Sequence, residues 1–311
     1  MNRIAVIFPG QGAQKAGMGK EFYEQYQAAR EIYDQASQVL GLDMKELCFE
    51  ENNRLDLTEY TQCAMVTTSL AMLAVLQEKG LKADVAAGLS LGEYCALAAA
   101  GVMTPMDAVR IVRRRGILMQ EAVPPGTGAM AAVLSLAAEK IEGVLSGLEN
   151  VQIANYNCPG QIVISGLKDA VEEACRRLAE AGAKRCILLN VSGPFHSRLL
   201  KGAGEKLGEA LEAVEINRPA IPYVANVNAA YVTEADPVKE LLKEQISSSV
   251  RWQQSVETML EDGVDTFIEI GPGKTLSGFV KKISRQARML NVEKPEDMEQ
   301  VLAQITAQQE D

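Results

Sequence analysis

Histidine is all but missing from this sequence. The 311 residues contain one, His196, so a site built on two imidazoles, including most histidine-rich zinc centres, is excluded by count. Cations are in deficit too: 31 Lys and Arg face 41 Asp and Glu, a formal net charge of -10. Most of such a surface repels nucleic acid and anionic membrane, so neither is expected as a partner. Long apolar runs are lacking; the window 60–77 carries Thr, Gln and Ser throughout, and no membrane span is predicted. The opening MNRIAVIFPGQG has too short an apolar stretch and no small-residue cleavage site, which argues against a signal peptide. The six cysteines, at 48, 63, 95, 158, 175 and 186, form no C-x-x-C pair. A chain this long buries enough core without disulfides, so free thiols and a cytoplasmic location are expected.

What is present is an ordinary globular balance, 47% hydrophobic and 23% charged, which excludes disorder and low-complexity readings. The length suits two modest domains, or one large domain with an insertion. Residues 3–8 form a short apolar run with β-branched residues, broken by Pro9 and the glycines that follow. Helical patterns cover 19–41 and 61–79, then 83–88 reads as a buried strand and 91–100 as a helix stopped by Gly101. This alternation predicts an α/β fold with a mainly parallel sheet.

The middle of the chain changes rhythm. After Pro124-Pro125-Gly126 come a strand (129–134), a helix (137–147), strands at 151–156 and 161–165, a helix (168–181) and a strand (185–191). That β-α-β-β-α-β order predicts a ferredoxin-like unit over 127–192, inserted into a larger α/β unit made of 1–126 and 193–311. A final core strand is expected at 266–270, followed by a polar helical tail after Pro295.

The sharpest local signal is Gly88-Leu89-Ser90-Leu91-Gly92, a G-x-S-x-G between a predicted strand and a predicted helix. A serine on such a turn takes a strained backbone, and small residues two positions either side avoid the resulting clash. Its hydroxyl then projects at a helix N-terminus, where backbone N–H groups can stabilise an oxyanion. With 25 glycines and 14 serines in the chain, chance supplies only about 0.09 such patterns. A serine nucleophile needs a base, and His196 is the single imidazole. It sits in a Gly-Pro loop at the predicted domain junction, a usual place for a site.

A helix starting at Thr104 and Pro105 places Ala108, Val109, Val112, Gly116 and Met119 on one stripe. Arg115 shares that stripe, whereas Arg113 and Arg114 point away. An arginine on an apolar face needs an anionic partner, which is either a structural carboxylate or a substrate. Two other motifs fail. Gly10-Gln11-Gly12 lacks the third glycine of a dinucleotide fingerprint, where Lys15 stands, and Gly273-Lys274-Thr275 lacks the upstream P-loop glycine, where Ile268 stands. Lys281, Lys282, Arg285 and Arg288 read as a solvated helix face, or a docking patch for an acidic partner.

Taken in order, FPGQGAQ at 8–14, GLSLGEY at 88–94, ANYNCPGQIVISG at 154–166, GPFHS at 193–197, VRW at 250–252 and EIGPGKTLSG at 269–278 resemble the malonyl-CoA:acyl carrier protein transacylases of type II fatty acid synthesis. The resemblance covers nearly the whole chain. It implies an α/β-hydrolase-like large domain with a ferredoxin-like insertion. It also implies that Ser90 takes malonyl from malonyl-CoA as an ester and passes it to a phosphopantetheine thiol, with His196 as general base. The family orients that histidine by a backbone carbonyl, here that of Gln245. Gln11 and the backbone N–H of Leu91 match its oxyanion hole, Arg115 its malonyl-carboxylate ligand, and Met119 and Phe195 its pocket wall. A bulky Phe195 disfavours an α-methyl branch. No metal and no cofactor beyond the CoA thioester substrate are implied; the partners are malonyl-CoA and acyl carrier protein, and the expected state is a monomer. Many members carry histidine where this chain has Leu89, a difference at the pocket rim.

Three rivals share parts of this pattern. A serine thioesterase or esterase shares the elbow, though common α/β-hydrolases place their histidine late in the chain, after an acid. A stand-alone acyltransferase serving a polyketide synthase shares the chemistry with another carrier. A catalytically idle scaffold is disfavoured by the intact Ser90 and His196.

Overall fold

The computed structural model describes residues 3–191 and 193–309. Ser192, where the predicted insertion ends, and residues 1–2 and 310–311 lie outside them. In chain order the strands are β1 (Arg3–Phe8), β2 (Val85–Gly88), β3 (Gly128–Leu134), β4 (Val151–Cys158) and β5 (Gln161–Leu167). There follow β6 (Arg185–Leu188), β7 (Tyr223–Val224), β8 (Tyr231–Val232), β9 (Val264–Ile270) and β10 (Arg288–Val292).

The larger sheet has the order β10-β9-β1-β2-β7-β8, parallel except for the β7–β8 pair. Its central strands are apolar on both faces because both are covered. Ile4, Val6 and Phe8 of β1 enter one core cluster, and Ala5 and Ile7 enter the other. In register, Phe8 lies beside Gly88 and Ile7 beside Glu269. The loops leaving β1 and β2 therefore emerge together at the carboxyl edge of the sheet, where open α/β sheets hold their ligands.

The smaller sheet runs β4-β5-β3-β6 with every pairing antiparallel. Ala131, Val133, Ile162 and Ile164 pack one face against the helices Ala138–Leu145 and Lys168–Glu180, while Met130, Ala154 and Val163 join the large core. One short segment ties the two sheets together. Val250 N–H donates to the Ala154 carbonyl at 2.8 Å and the Val250 carbonyl accepts from Tyr156 N–H at 2.9 Å. Trp252, two residues on, is fully buried beside this link.

Several expectations need correction. The helical stretch 19–41 is two helices, Lys20–Gln25 and Gln27–Leu40, because Tyr26 turns extended with φ -123° and ψ 131°. The strand expected at 266–270 spans Val264–Ile270 and is not the last; β10 pairs with it in parallel. Arg288 accordingly stands on a strand, not on the helix Thr275–Ile283 that carries Lys281 and Lys282. The C-terminal helix Pro295–Gln309 is amphipathic rather than wholly polar, since Met298, Val301 and Ile305 are buried. Among the described residues, no helix is long and apolar enough to cross a membrane.

Candidate active site

Ser90 sits between β2 and the helix Gly92–Ala99 with φ 55°, a left-handed conformation unusual for a side-chain-bearing residue. The flanking glycines are steric requirements. A Cβ on Gly88 would collide with the Gly92 backbone, and one on Gly92 with the Phe8 carbonyl. Asn226 braces the turn from the far side: its Oδ1 accepts from Ser90 N–H and its Nδ2 donates to the Gly88 carbonyl, both at 2.7 Å.

His196 also has a left-handed backbone, φ 56°, and is 3% exposed. Its Nε2 lies 2.7 Å from Ser90 Oγ and its Nδ1 lies 2.8 Å from the Gln245 carbonyl. A carbonyl can only accept, so Nδ1 carries the hydrogen and Nε2 turns its lone pair to the serine hydroxyl. Burial, reinforced by the nearby Arg115 charge, pulls the imidazole down to about 4, so it is neutral at physiological pH. Gln152 of β4 fixes the loop by donating from Nε2 to the His196 carbonyl at 3.1 Å.

Arg115 lies on the helix Pro105–Glu121, which Thr104 caps by accepting from Asp107 N–H at 3.1 Å. The helical stripe turns Arg115 inward to 1% exposure, while Arg114 is exposed and Arg113 pairs with Glu59 at 2.8 Å. Its Nη1 donates to Gln62 Oε1 at 2.8 Å, and its Nη2 to Ser90 Oγ and Gln245 Oε1 at 3.0 Å each. The even choice between structural and substrate partners is thus sharpened: its bonded acceptors are all neutral.

A cavity of about 590 Å³ brings these groups together. Gln11, Ser90, Leu91, Arg115, Met119, Phe195 and His196 all line it, and Gln245 lies directly behind. Leu91 stands at the N-cap of the helix Gly92–Ala99, and neither its N–H nor that of Gln11 has a backbone acceptor among the described residues. Both therefore remain available to a developing oxyanion. Leu89 reaches the rim, packing where a Cβ on Gly10 would sit.

Residues 6–305 match the acyl transferase domain family. Over 304 residues the chain is 49% identical to a malonyl CoA-acyl carrier protein transacylase of Bacillus subtilis (strain 168), covering 96% of each chain. It belongs to this transacylase family. The crystal structure of a malonyl CoA-acyl carrier protein transacylase from Clostridium perfringens superimposes with a TM-score of 0.96 at 43% identity, over 99% of this chain and 98% of that one. A malonyl-transacylase solved in complex with its type II PKS acyl-carrier protein matches with a TM-score of 0.93 at 39% identity, over 97% and 100%.

Around the transacylase cavity stand two residues that sequence reasoning missed, Gln62 on its wall and Glu93 buried behind Gln245. Glu93 is 1% exposed and its Oε2 accepts from Gln245 Nε2 at 2.5 Å and from Asn226 N–H at 3.3 Å. Burial pushes this carboxyl up to about 7. Its signal was a lone carboxylate inside the apolar helix start GEYCALAAA. Gln62, on the core helix Thr58–Glu78, holds Arg115 and reaches Met119 Sδ at 3.5 Å. A buried glutamine in a largely buried helix is the corresponding clue.

Proposed function

We propose that this acyltransferase moves a malonyl group from malonyl-CoA to the phosphopantetheine thiol of an acyl carrier protein, by a ping-pong route through a malonyl ester on Ser90. The observation that carries the reading is the convergence on Ser90 Oγ of His196 Nε2 at 2.7 Å and Arg115 Nη2 at 3.0 Å. One is a base for the nucleophile; the other is a fork that fits a carboxylate.

In the first half-reaction, His196 Nε2 takes the Ser90 proton as Oγ attacks the thioester carbonyl. The oxyanion faces the N–H groups of Gln11 and Leu91. Collapse breaks the C–S bond, and the departing thiolate receives the proton from His196. The second half repeats these steps with the carrier thiol as attacker and Ser90 as leaving group. The Gln245 carbonyl holds the imidazolium in register through Nδ1–H, in the place an acidic side chain takes in other triads. Met119 and Phe195 would wall the acyl pocket, and Phe195 would exclude an α-methyl branch. These steps balance with side chains and the CoA thioester alone, so the proposal invokes no metal and no cofactor.

The architecture is read as a ferredoxin-like subdomain, 127–192, inserted in an α/β-hydrolase-like catalytic unit formed by 1–126 and 193–311. The antiparallel order β4-β5-β3-β6 supports the first assignment, and the serine elbow following β2 supports the second. We also propose that the protein is a cytoplasmic monomer, whose oligomeric state light scattering checks. The carrier-bound relative supports a protein-borne thiol as acceptor.

The test is intact mass after brief mixing with malonyl-CoA, alongside acetyl-CoA and Ser90→Ala. One malonyl adduct on wild type, absent from the variant, scarce with acetyl-CoA and discharged by carrier protein, is the expected result. CoA release without an adduct would instead favour a thioesterase. Fatty acid and polyketide carriers, compared at the discharge step, identify the preferred acceptor.

A further inference from the structure

Arg115 poses an electrostatic problem that the acyl-transfer chemistry leaves open. Its guanidinium is buried, and its hydrogen bonds go to Gln62, Ser90 and Gln245, all neutral. Among the described residues, no ion pair reaches it. A buried cation with no counter-charge is strongly unfavourable. A substrate carboxylate would balance it, but the site must also exist between turnovers.

Across one amide group lies a buried carboxyl. Gln245 presents Oε1 to Arg115 Nη2 at 3.0 Å and Nε2 to Glu93 Oε2 at 2.5 Å. The amide dipole thus points its negative end at the cation and its positive end at the carboxylate, the orientation that both charges favour. The same Nε2 donates to the Ser90 carbonyl at 3.0 Å, and the backbone carbonyl of Gln245 accepts from His196. The other titratable groups facing Glu93 are Tyr94 beside it, Tyr223 on β7 and, beyond Gln245, His196. Burial raises both hydroxyls well above the usual tyrosine range and lowers the imidazole, so all three are uncharged near neutrality.

We infer that Glu93 is the resting counter-charge of Arg115, relayed through the Gln245 amide, and that a malonyl carboxylate arriving on Arg115 drives a proton onto Glu93. The inference rests on the reading that Ser90 carries a malonyl ester. Two carboxylates would then flank one cation in a low-dielectric interior, and one of them must be neutralised. Glu93 is already held up to about 7 by burial, so it is the group that takes the proton. Esterification itself conserves protons, because the serine proton leaves on the CoA thiol; the additional proton comes from solvent and ends on a Glu93 oxygen. An acetyl group brings no charge and draws none. Glu93 touches no substrate in this scheme and is a positioning residue whose charge state sets the response of Arg115.

One consequence is a selectivity that depends on pH. Below about pH 7 Glu93 is already protonated, and Arg115 is open to the malonyl carboxylate. Above it, malonyl loading must be accompanied by a proton, so the malonyl-to-acetyl ratio of kcat/KM falls by up to about tenfold per pH unit.

The experiment mixes the enzyme with malonyl-CoA at about pH 8 in weak buffer with an indicator dye, and reads adduct formation by intact mass in the same sample. Acetyl-CoA, run in parallel, subtracts ionisation of the released CoA thiol. The expected result is an excess uptake approaching about one proton per malonyl adduct. Glu93→Gln should abolish that excess and flatten the pH dependence of the malonyl-to-acetyl ratio. A malonyl adduct formed with no excess uptake overturns the inference while leaving the Ser90 ester intact. No malonyl adduct at all overturns the ester reading, and the inference with it. Should the variant not fold, proton uptake and the pH-dependent ratio on wild type decide the matter alone.

Discussion

Replacing Arg115 by alanine separates the two roles an inward arginine can have. The side chain is 1% exposed, and its Nη2 already reaches Ser90 Oγ at 3.0 Å, so the carboxylate of the proposed Ser90 malonyl ester would lie within reach of the same fork. Removing it leaves that carboxylate buried and unpaired, a loss of about 3–5 kcal/mol. At about 1.4 kcal/mol per decade, kcat/KM for malonyl-CoA should fall roughly 10²- to 10⁴-fold. Acetyl-CoA has no carboxylate to strand. It loses only the contacts that Arg115 makes with Ser90 and Gln245, worth about 1 kcal/mol or less net. Rapid-quench rates of acyl-enzyme formation for both donors give the ratio directly. Equal losses on the two would refute the carboxylate role and leave Arg115 as a strut for Gln62, Ser90 and Gln245.

Other consequences are equally concrete. With acetyl-CoA as donor, which avoids the Glu93 linkage, the acid limb of kcat/KM should lie near 4 rather than near 6.5, because the proposed base His196 could accept a proton only when neutral and burial depresses its value; a limb near 6.5 would contradict this. Gly92→Ala forces a Cβ into the Phe8 carbonyl and should cost about 1–3 kcal/mol in thermal unfolding, whereas Gly143→Ala, a helical site with open space, should be neutral or stabilising. Phe195→Ala should permit a methylmalonyl adduct that wild type does not form, read by intact mass. Charge reversal at Lys281 and Lys282, on the helix whose Thr275, Leu276 and Phe279 line the cavity, should raise KM for carrier protein and leave loading from malonyl-CoA unchanged.

Legibility from sequence followed how much each role depends on residue type. The elbow could be read because close packing of three backbone segments demands glycine at fixed spacing around Ser90. Arg115 could be read because helical periodicity states which way a side chain points. The roles proposed for Gln11 and Leu91, and for the Gln245 carbonyl, run through main-chain N–H or C=O groups, which residue type barely restricts, so only the family resemblance marked them. Glu93 did carry a signal, a carboxylate in an apolar stretch, but its neighbours in the elbow explained the motif without it. In the fold, the break at Tyr26 has no glycine or proline within the turn to announce it. β7 and β8 are two residues each, too short for any period to register. β10 is an edge strand that opens on Arg288 shortly after Lys281, Lys282 and Arg285, and its partly exposed side chains mimic a continuing helix surface.

The link through Val250 gives this chain a built-in optical sensor. Its single indole, Trp252, is buried two residues beyond the point where β4 meets the larger unit. Emission from such a ring shifts to the red when water reaches it, whether or not either sheet has melted. Parting of the two sheets would therefore register as a fluorescence change with secondary structure intact, distinguishable from global unfolding by circular dichroism on the same sample. Because Gln152, also on β4, clamps the His196 carbonyl, that emission would report at the same time on whether His196 is still held against Ser90.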